Sequence, residues 1–304
     1  MAPDSTLLVE LEDRNPDGRG RGYSQGRAVL VSQGLPGERV RVRVDRETRG
    51  TVQGRVAELV DPINSRIDTA CPHTFVCTGC PMLGEDPDEE LVFKEKMIRT
   101  TLASAKSDLE SLCRGVERPS EIFEYRYYAK QVFSHHKNEM TLGSYVAGTH
   151  EVVSNRDCPV LAPRLSEVMR VTEEVVAAEK VWIATQRDSG LKHAVARLSA
   201  ATGEVLMTWV VSGVLSSVQR AAIERAALSL RTRCEHVAGV ALVINETQGN
   251  VILRGGVEVI DGASHIVESM SGYEHRVGPL SFFQINPVAA AALFDRALDA
   301  AGQG

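Results

Sequence analysis

The chain has 304 residues, of which 43% are hydrophobic and 24% charged, with a formal net charge of −6. This composition is that of a globular protein of two or three domains. No apolar run approaches the length of a membrane span, and the N-terminal MAPDSTLLVELEDR lacks the basic segment and apolar core of a secretory signal. We therefore expect a cytoplasmic protein, in which clustered cysteines bind metals or serve catalysis rather than forming disulfides.

Positive charge is concentrated near the N-terminus. Residues 14–55 contain ten arginines, no lysine and four acidic residues, a local charge of +6 in a chain whose total is −6. A basic module on an acidic body indicates nucleic-acid binding, although a solvated, arginine-rich strand face has the same composition.

Residues 1 to about 60 have the pattern of short strands separated by turns, namely LLVELE, GRAVLV, RVRVRVD and GTVQGRVAELV. The alternation in RVRVRVD separates a valine face from an arginine face. The valines are Val40, Val42 and Val44, and the arginines are Arg39, Arg41 and Arg43. Such strands predict a small OB-like barrel, whose arginine face suits a polyanion backbone. We expect the glycine-rich GRGRGYSQG, residues 18–26, to be a flexible, basic hairpin loop.

Helices and strands follow in turn after residue 85. We predict helices that start at EDPDEE (85–90), over 162–180, over 215–233, and over NPVAAAALFDRALDAAG, where Pro287 lies in the first turn. Strand patterns occupy Tyr125 to Val153, LKHAVARLSA with VLMTWVV, GVALVINE, GNVILRGG and SHIVESMSGYEHRVG. The predicted fold class is α+β.

Three of the six cysteines lie within the ten residues CPHTFVCTGC. Cys71, Cys77 and Cys80 are spaced C-x5-C-x2-C, and the remote Cys158 is followed by proline. Structural zinc sites use two short ligand pairs, whereas a three-plus-one arrangement with Cys-Pro is typical of iron–sulfur ligation. From spacing, a [4Fe–4S] cluster, a zinc ion with His73 as the fourth ligand, and no metal at all remain open.

Several stretches together resemble one known family, the bacterial RNA uracil-C5 methyltransferases, and specifically the ribosomal RNA enzymes that carry a [4Fe–4S] cluster. The stretches occur in the family's order: GRAVLVSQGLPGERVRVRV, CPHTFVCTGC, YRYYAKQVF, DCPVLAP, LKHAVAR, INETQGNVIL and SFFQINPVAAAALFDRALDAAG. The resemblance implies a TRAM domain, an OB-like RNA-binding module, over residues 1–62. It implies a mixed α/β central [4Fe–4S] RNA-recognition domain over 63–275 and the first segment of a Rossmann-like methyltransferase domain over 276–304.

The resemblance also implies roles for particular residues. The cluster ligands would be Cys71, Cys77, Cys80 and Cys158. Gln284 would contact S-adenosylmethionine (SAM), and Phe282 would lie near a base flipped out of the RNA, where an aromatic face can stack. The candidate RNA contacts are Arg39, Arg41, Arg43, Arg126 and Phe282. A surface salt bridge for Arg126 and core packing for Phe282 and Phe283 are the alternatives.

In this family a cysteine adds to C6 of uracil, C5 takes the methyl group from SAM, and a base removes the C5 proton. The sequence ends at Gly304, before the family's glycine-rich SAM loop, nucleophilic cysteine and base glutamate. We therefore expect the RNA-recognition and iron–sulfur portion of a SAM-dependent 23S rRNA methyltransferase, monomeric, with no catalytic residue of its own and inactive alone. The alternative is a free-standing iron–sulfur or zinc RNA-binding protein without enzymatic activity.

Overall fold

The structure is a computed structural model that describes residues 6–77, 79–105, 108–136, 139–146, 149–184, 189–246 and 251–302. The chain forms two compact units. One comprises Met1–Arg118 with Tyr145–Glu151, and the other comprises Pro119–Ser144 with Val152–Gly304. The three-part division at residues 62 and 275 stays a prediction.

The first unit begins with five strands: β1 (Thr6–Arg14), β2 (Gly20–Ser24), β3 (Arg27–Ser32), β4 (Arg39–Glu47) and β5 (Thr51–Asp61). They close into a barrel in the order β1-β2-β3-β5-β4, which confirms the predicted barrel. Alternate residues of each strand point inward, because successive side chains of a strand lie on opposite faces. The core they form consists of Val9, Leu11, Val29, Val31, Val40, Val42, Val52 and Val56.

Strand β2 occupies Gly20–Ser24 of the glycine-rich segment 18–26, so the prediction of a flexible loop there was wrong, although β2 does form a hairpin with β3. Gly22 pairs with Leu11 of β1 and with Val29 of β3. A Cβ atom at Gly22 would lie 2.2 Å from the carbonyl oxygen of Glu10. The strand therefore depends on a close approach of two backbones that only glycine permits, and a local pattern does not reveal this.

Replacing Gly22 with alanine is expected to lower the free energy of unfolding of the barrel by about 1–3 kcal/mol, since β1 must shift to admit the methyl group. The matched control is Gly50→Ala, because nothing lies within 4 Å of a Cβ atom built at Gly50. Urea unfolding followed by far-ultraviolet circular dichroism tests the difference. Equal midpoints for the two variants would contradict the close approach.

Helix α1 (Pro87–Ala105) follows the cysteine-containing segment and confirms the helix predicted to start at EDPDEE. Asp88, Glu89 and Glu90 lie in its first turn, where carboxylates interact favourably with the helix dipole. The side chains of α1 are half-buried or exposed. A short 3-10 helix follows at Leu109–Leu112.

The second unit contains a seven-stranded sheet whose strands include β6 (Tyr128–His136), β7 (Glu139–Tyr145), β8 (Val152–Ser154), β9 (Gly190–Leu198), β10 (Val205–Ser212), β11 (Val237–Asn245) and β12 (Gly256–Gly262). Their order is β12-β11-β10-β9-β6-β7-β8. The predicted hairpin of β9 and β10 is antiparallel, whereas β10 and β11 are parallel. This mixture of helices and an antiparallel-rich sheet agrees with the predicted α+β class.

Two helices cover one face of this sheet, α2 (Pro163–Ala178) and α3 (Ser217–Arg233), both of which were predicted. Ser216 begins α3 with a capping box, in which its hydroxyl accepts from the amide of Gln219 and the Gln219 side chain accepts from the amide of Ser216. The core between helices and sheet is centred on the fully buried Trp209 of β10.

The prediction of a strand over GNVILRGG was wrong for Val251–Gly255, which precede β12, while residues 249 and 250 lie outside the described residues. The carbonyl oxygens of Val251 and Ile252 accept hydrogen bonds from the Asn245 side chain. Ile252 and Leu253 pack against a cluster on the sheet formed by Val195, Val210 and Val243. The apolar run therefore covers a sheet face instead of extending the sheet.

The last elements are a hairpin of β13 (Ile266–Met270) and β14 (Tyr273–Val277) and the helix α4 (Pro287–Gly302), as predicted. The buried carboxylate of Glu268 accepts hydrogen bonds from the amides of Ala200 and Ala201 and so holds the hairpin to the turn after β9. In the parts of the chain that the structure describes, no helix combines the length and the apolar character that a bilayer crossing needs.

Candidate functional site

The arginine row of β4 alternates with the barrel core, as the sequence predicts. Val40 and Val42 are fully buried, whereas Arg39, Arg41 and Arg43 are exposed. The row therefore lies on the surface of the barrel.

Acidic side chains of the neighbouring strand β5 lie against this row. Arg41 Nε donates to Glu58 at 2.8 Å, and the guanidinium of Arg39 lies 4.0 Å from Asp61. Both pairs are solvent-exposed, so each contributes little to stability, about 0–1 kcal/mol. Their consequence is electrostatic, because the carboxylates compete with any anionic ligand for the arginines.

The three clustered cysteines lie in a loop that is folded by its own hydrogen bonds. The amide of Cys77 donates to the carbonyl oxygen of His73 at 2.9 Å, and the Thr74 hydroxyl donates to the carbonyl of Cys71 at 2.9 Å. Phe75 has a positive φ of 66°. The thiols of Cys71, Cys77 and Cys80 are half-buried and not joined in disulfides.

A buried ion pair supports this loop from the barrel. Glu38 is fully buried and accepts two hydrogen bonds from Arg66, at 2.6 and 2.7 Å, and one from the amide of Leu35. The guanidinium of Arg66 also donates to the carbonyl of Gln33 at 2.7 Å and lies 5.6 Å from the centre of the Phe75 ring. The carboxylate and guanidinium thus have several partners each, which a buried pair requires.

Thiols are the ligands that iron–sulfur clusters use, so the donor chemistry of the loop fits such a cluster. The described residues contain no group of three or more His, Cys, Asp or Glu side chains placed to hold a metal ion. Cys158, the predicted fourth ligand, belongs to the second unit, where it packs against the main core.

The second unit presents an apolar groove of about 320 Å³ beside the final hairpin. Both residues that the resemblance implicates there, Phe282 and Gln284, line the groove, and they are exposed, Phe282 by 84%. Phe283 also lines the groove, but unlike Phe282 it packs against a buried cluster that contains Ile266. Core packing therefore describes Phe283 and not Phe282. The other lining residues include Tyr273, Phe294 and Leu298.

Arg126 is held by its backbone beside the segment that follows Cys158. Its amide donates to the carbonyl of Val160, and its carbonyl accepts from the amide of Ala162. The side-chain Nε is buried and has no hydrogen-bond partner within the described ranges. The adjacent Tyr127 amide donates to the carbonyl of Ile285 at 2.8 Å, which places Arg126 on the side of the second unit where α4 begins.

Sequence reasoning missed two buried basic residues of β9, His193 and Arg197. Arg197 lies 4.9 Å from the centre of the Tyr128 ring and donates to the carbonyl of Ser281 at 2.7 Å. Burial lowers the pKa of Arg197. For His193, burial together with the nearby Lys192 and Lys130 lowers the pKa to about 4. The two-residue alternation of β9 indicates that His193 and Arg197 lie on the same face of the strand. It does not indicate that other parts of the chain cover this face.

The depressed pKa of His193 predicts a pH-dependent stability of the second unit. Between pH 6.5 and about 4, the unfolded chain binds a proton that the folded chain does not, so stability present above pH 6.5 is lost as the pH falls. The expected loss is about 1.4 kcal/mol per pH unit from this group. Urea unfolding at pH 7.5, 6 and 5, followed by tryptophan emission, measures it.

The variant His193→Gln should have a weaker pH dependence over this interval than the wild-type chain. His275→Gln is the control, because His275 is exposed in the same unit. Parallel pH profiles for wild type and His193→Gln would show that His193 titrates normally.

Residues 4–57, which include most of the closed barrel and its exposed arginine strand, match the TRAM domain family. Over nearly its whole length, the chain is also similar to proteins named RNA methyltransferases. It is 26% identical to an uncharacterized RNA methyltransferase of Thermosynechococcus vestitus, with coverage of 95% of this chain and 64% of that protein. It is 24% identical to one of Halalkalibacterium halodurans, with 96% and 63% covered. The chain thus spans less than two thirds of the length of these relatives.

A solved structure has a similar fold. The Pyrococcus abyssi tRNA (uracil-54, C5)-methyltransferase, crystallised in complex with S-adenosyl-L-homocysteine, superposes with a TM-score of 0.66 at 21% identity. The superposition covers 96% of this chain and 64% of that chain. Residues 4–57 therefore match a TRAM domain, and the chain is similar, over nearly its whole length, to proteins named RNA methyltransferases.

Proposed function

We propose that these 304 residues are the RNA-recognition portion of a SAM-dependent RNA uracil-C5 methyltransferase. The observation that carries the proposal is the similarity to RNA methyltransferases over 95% of the chain, which includes both the barrel and the sheet unit. The exposed arginine row of β4 supports an RNA backbone as the ligand of the barrel.

The proposed RNA is 23S rRNA, bound by a monomeric chain in the cytoplasm. The structural relative is named for tRNA, so a competition experiment is the sharpest test of this part. A labelled 23S rRNA fragment bound to the chain would be challenged with unlabelled tRNA and with unlabelled rRNA. Displacement by rRNA at a lower concentration supports the proposal, and preferential displacement by tRNA contradicts it.

Charge changes on the barrel test the RNA surface. Replacing all three of Arg39, Arg41 and Arg43 by glutamine is expected to weaken RNA binding by more than about tenfold. The number of counterions released on binding, given by the slope of log affinity against log salt concentration, should fall by about two to three. Glu58→Gln should act in the opposite direction, because it frees Arg41 from its ion pair. Fluorescence anisotropy at two salt concentrations measures both. Unchanged affinity in the triple variant would remove the row from the interface.

In the second unit, we propose that Arg126 contacts an RNA phosphate and that Phe282 stacks on the flipped base. Gln284 would contact SAM, and the exposure of Phe282 and Gln284 in one groove supports these roles. SAM would supply the methyl group when bound, while the groove residues orient the cofactor and the base. We expect no methyl transfer by these 304 residues alone. Incorporation of label from methyl-labelled SAM into RNA would refute this expectation.

We also propose a [4Fe–4S] cluster on Cys71, Cys77, Cys80 and Cys158. Its support is the cysteine spacing and the thiol chemistry of the loop. Anaerobic purification should yield brown protein with about four irons and four sulfides per chain. Cys77→Ser should lose the iron, with Cys113→Ser as the control. A colourless chain with one zinc ion would identify a zinc site instead.

A further inference from the structure

Gln33 is a buried polar residue in the turn between β3 and β4. It is 1% exposed and has a positive φ of 62°. Its amide donates to the carbonyl of Pro81 at 3.0 Å, and its carbonyl accepts from Arg66. The backbone of Gln33 is therefore attached to the far end of the cysteine loop.

The side chain of Gln33 reaches into the same loop. Its Nε2 donates to the carbonyl of Cys77 at 2.9 Å and to the carbonyl of Cys80 at 3.3 Å. Its Oε1 accepts from the amide of Phe75 at 2.5 Å. One carboxamide thus uses both of its polar atoms on three backbone groups, which span the loop from Phe75 to Cys80.

These contacts lie where the loop backbone most needs a partner. Phe75 adopts a left-handed conformation, which is uncommon for a bulky residue and persists only when its surroundings hold it. The carbonyls of Cys77 and Cys80 lie on either side of Gly79. Glycine can adopt more backbone conformations than any other residue, so the loop backbone at this point gains most from being held. By contrast, the carbonyl of Cys71 is held by Thr74 and not by Gln33.

We propose that Gln33 is the positioning residue of the cysteine loop. The barrel, through this carboxamide, sets the backbone between Phe75 and Cys80 and thereby the directions in which Cys77 and Cys80 present their thiols. The three hydrogen bonds of the Gln33 side chain support this positioning role whether or not the loop binds a metal. Its consequence, that Gln33 speeds and strengthens metal binding by pre-ordering two ligands, rests on the proposed function.

Two variants of the full chain test the inference. Gln33→Met keeps the side-chain volume and removes every side-chain hydrogen bond. Gln33→Asn keeps a carboxamide and suits a positive φ better, but is shorter by one carbon–carbon bond, about 1.5 Å. The asparagine variant therefore folds readily while losing its reach to the loop. Gln53→Met, on β5 of the same barrel, is the control for the substitution itself.

The readouts are amide hydrogen exchange of Phe75 and maleimide labelling of the reduced, metal-free chain, mapped by mass spectrometry. In both Gln33 variants we expect exchange at Phe75 and labelling of Cys77 and Cys80 to become at least about tenfold faster. Labelling of Cys71 and exchange of the barrel amides of Val29 and Val42 should match the wild-type chain.

A role in general barrel stability would raise barrel and loop exchange together, and that result would overturn the inference. Rates within twofold of wild type at Phe75, Cys77 and Cys80 would also overturn it. Iron content of the wild-type chain is measured separately. A wild-type chain that binds no iron refutes the cluster, while the exchange and labelling rates still decide whether Gln33 orders the loop.

Discussion

Replacing Glu38 with alanine is expected to lower the free energy of unfolding of the first unit by about 3–5 kcal/mol. Glu38 is fully buried, and its carboxylate is the partner of the 10% exposed Arg66 side chain. Without it, the guanidinium is left buried and unpaired, and the amide of Leu35 loses its acceptor. The effect should be large because the cost is that of an uncompensated charge, and not the modest net contribution of a formed pair.

The matched control is Glu58→Ala, which removes the acidic partner of an exposed pair in the same barrel. The Glu58 and Arg41 side chains are 59% and 46% exposed, so water replaces the lost partner and the expected change is below about 1 kcal/mol. The free energy of unfolding of both variants is measured by urea denaturation, and the hydrogen exchange of barrel amides reports the same quantity for the first unit. Comparable losses for Glu38→Ala and Glu58→Ala would show that Glu38 is not desolvated.

The Glu38 variant has a second expected effect, on the cysteine loop. Arg66 connects Glu38 to the carbonyl of Gln33 and to the ring of Phe75. Releasing Arg66 should therefore loosen the turn that carries Gln33 and speed the labelling of Cys77, even under conditions in which the barrel remains folded.

Replacing Trp209 with alanine should cost the second unit about 3–5 kcal/mol of stability. Trp209 is 0% exposed and lies in the middle of β10, where it pairs with Ala194 of β9 and Leu242 of β11. The helices α2 and α3 pack over this core, and cores of this density collapse only partly around a cavity. Thermal or urea unfolding followed by circular dichroism measures the loss.

Trp182→Ala is the control, because Trp182 is 57% exposed and is the chain's only other tryptophan. Its loss should change stability by less than about 1 kcal/mol. Trp209→Phe should also be mild, since the buried indole Nε1 has no hydrogen-bond partner among the described residues and its removal offsets part of the lost volume. A phenylalanine variant as unstable as the alanine variant would mean that the indole nitrogen has an important partner.

Much of the fold is readable from local pattern. Valine–arginine alternation in β4 predicted both the inward and the outward face, and the capping residues of α3 lie where the sequence places the helix start. Such features depend on residues within a few positions of one another, so that short-range geometry suffices.

The candidate sites were only partly predictable, because they depend on contacts between residues that are far apart in the chain. Phe282 and Gln284 were assigned by resemblance, and the structure adds that both are exposed in one groove. Gln33, by contrast, occurs in SQGLPGE, which has the composition of an ordinary turn. Its importance comes from residues more than forty positions later, with which it forms hydrogen bonds.

By itself, the sequence determined the two-residue alternation of the barrel strands, the positions of the helices and the cluster of three cysteines. Each of these features depends on residues that are close together in the chain. Only the tertiary structure decided that a glycine-rich segment is a strand, that His193 and Arg197 are buried, and that a barrel glutamine holds the cysteine loop. The physical reason is common to all three. Close backbone approach, desolvation and hydrogen-bond pairing depend on groups that are remote in the chain and become neighbours only when it folds.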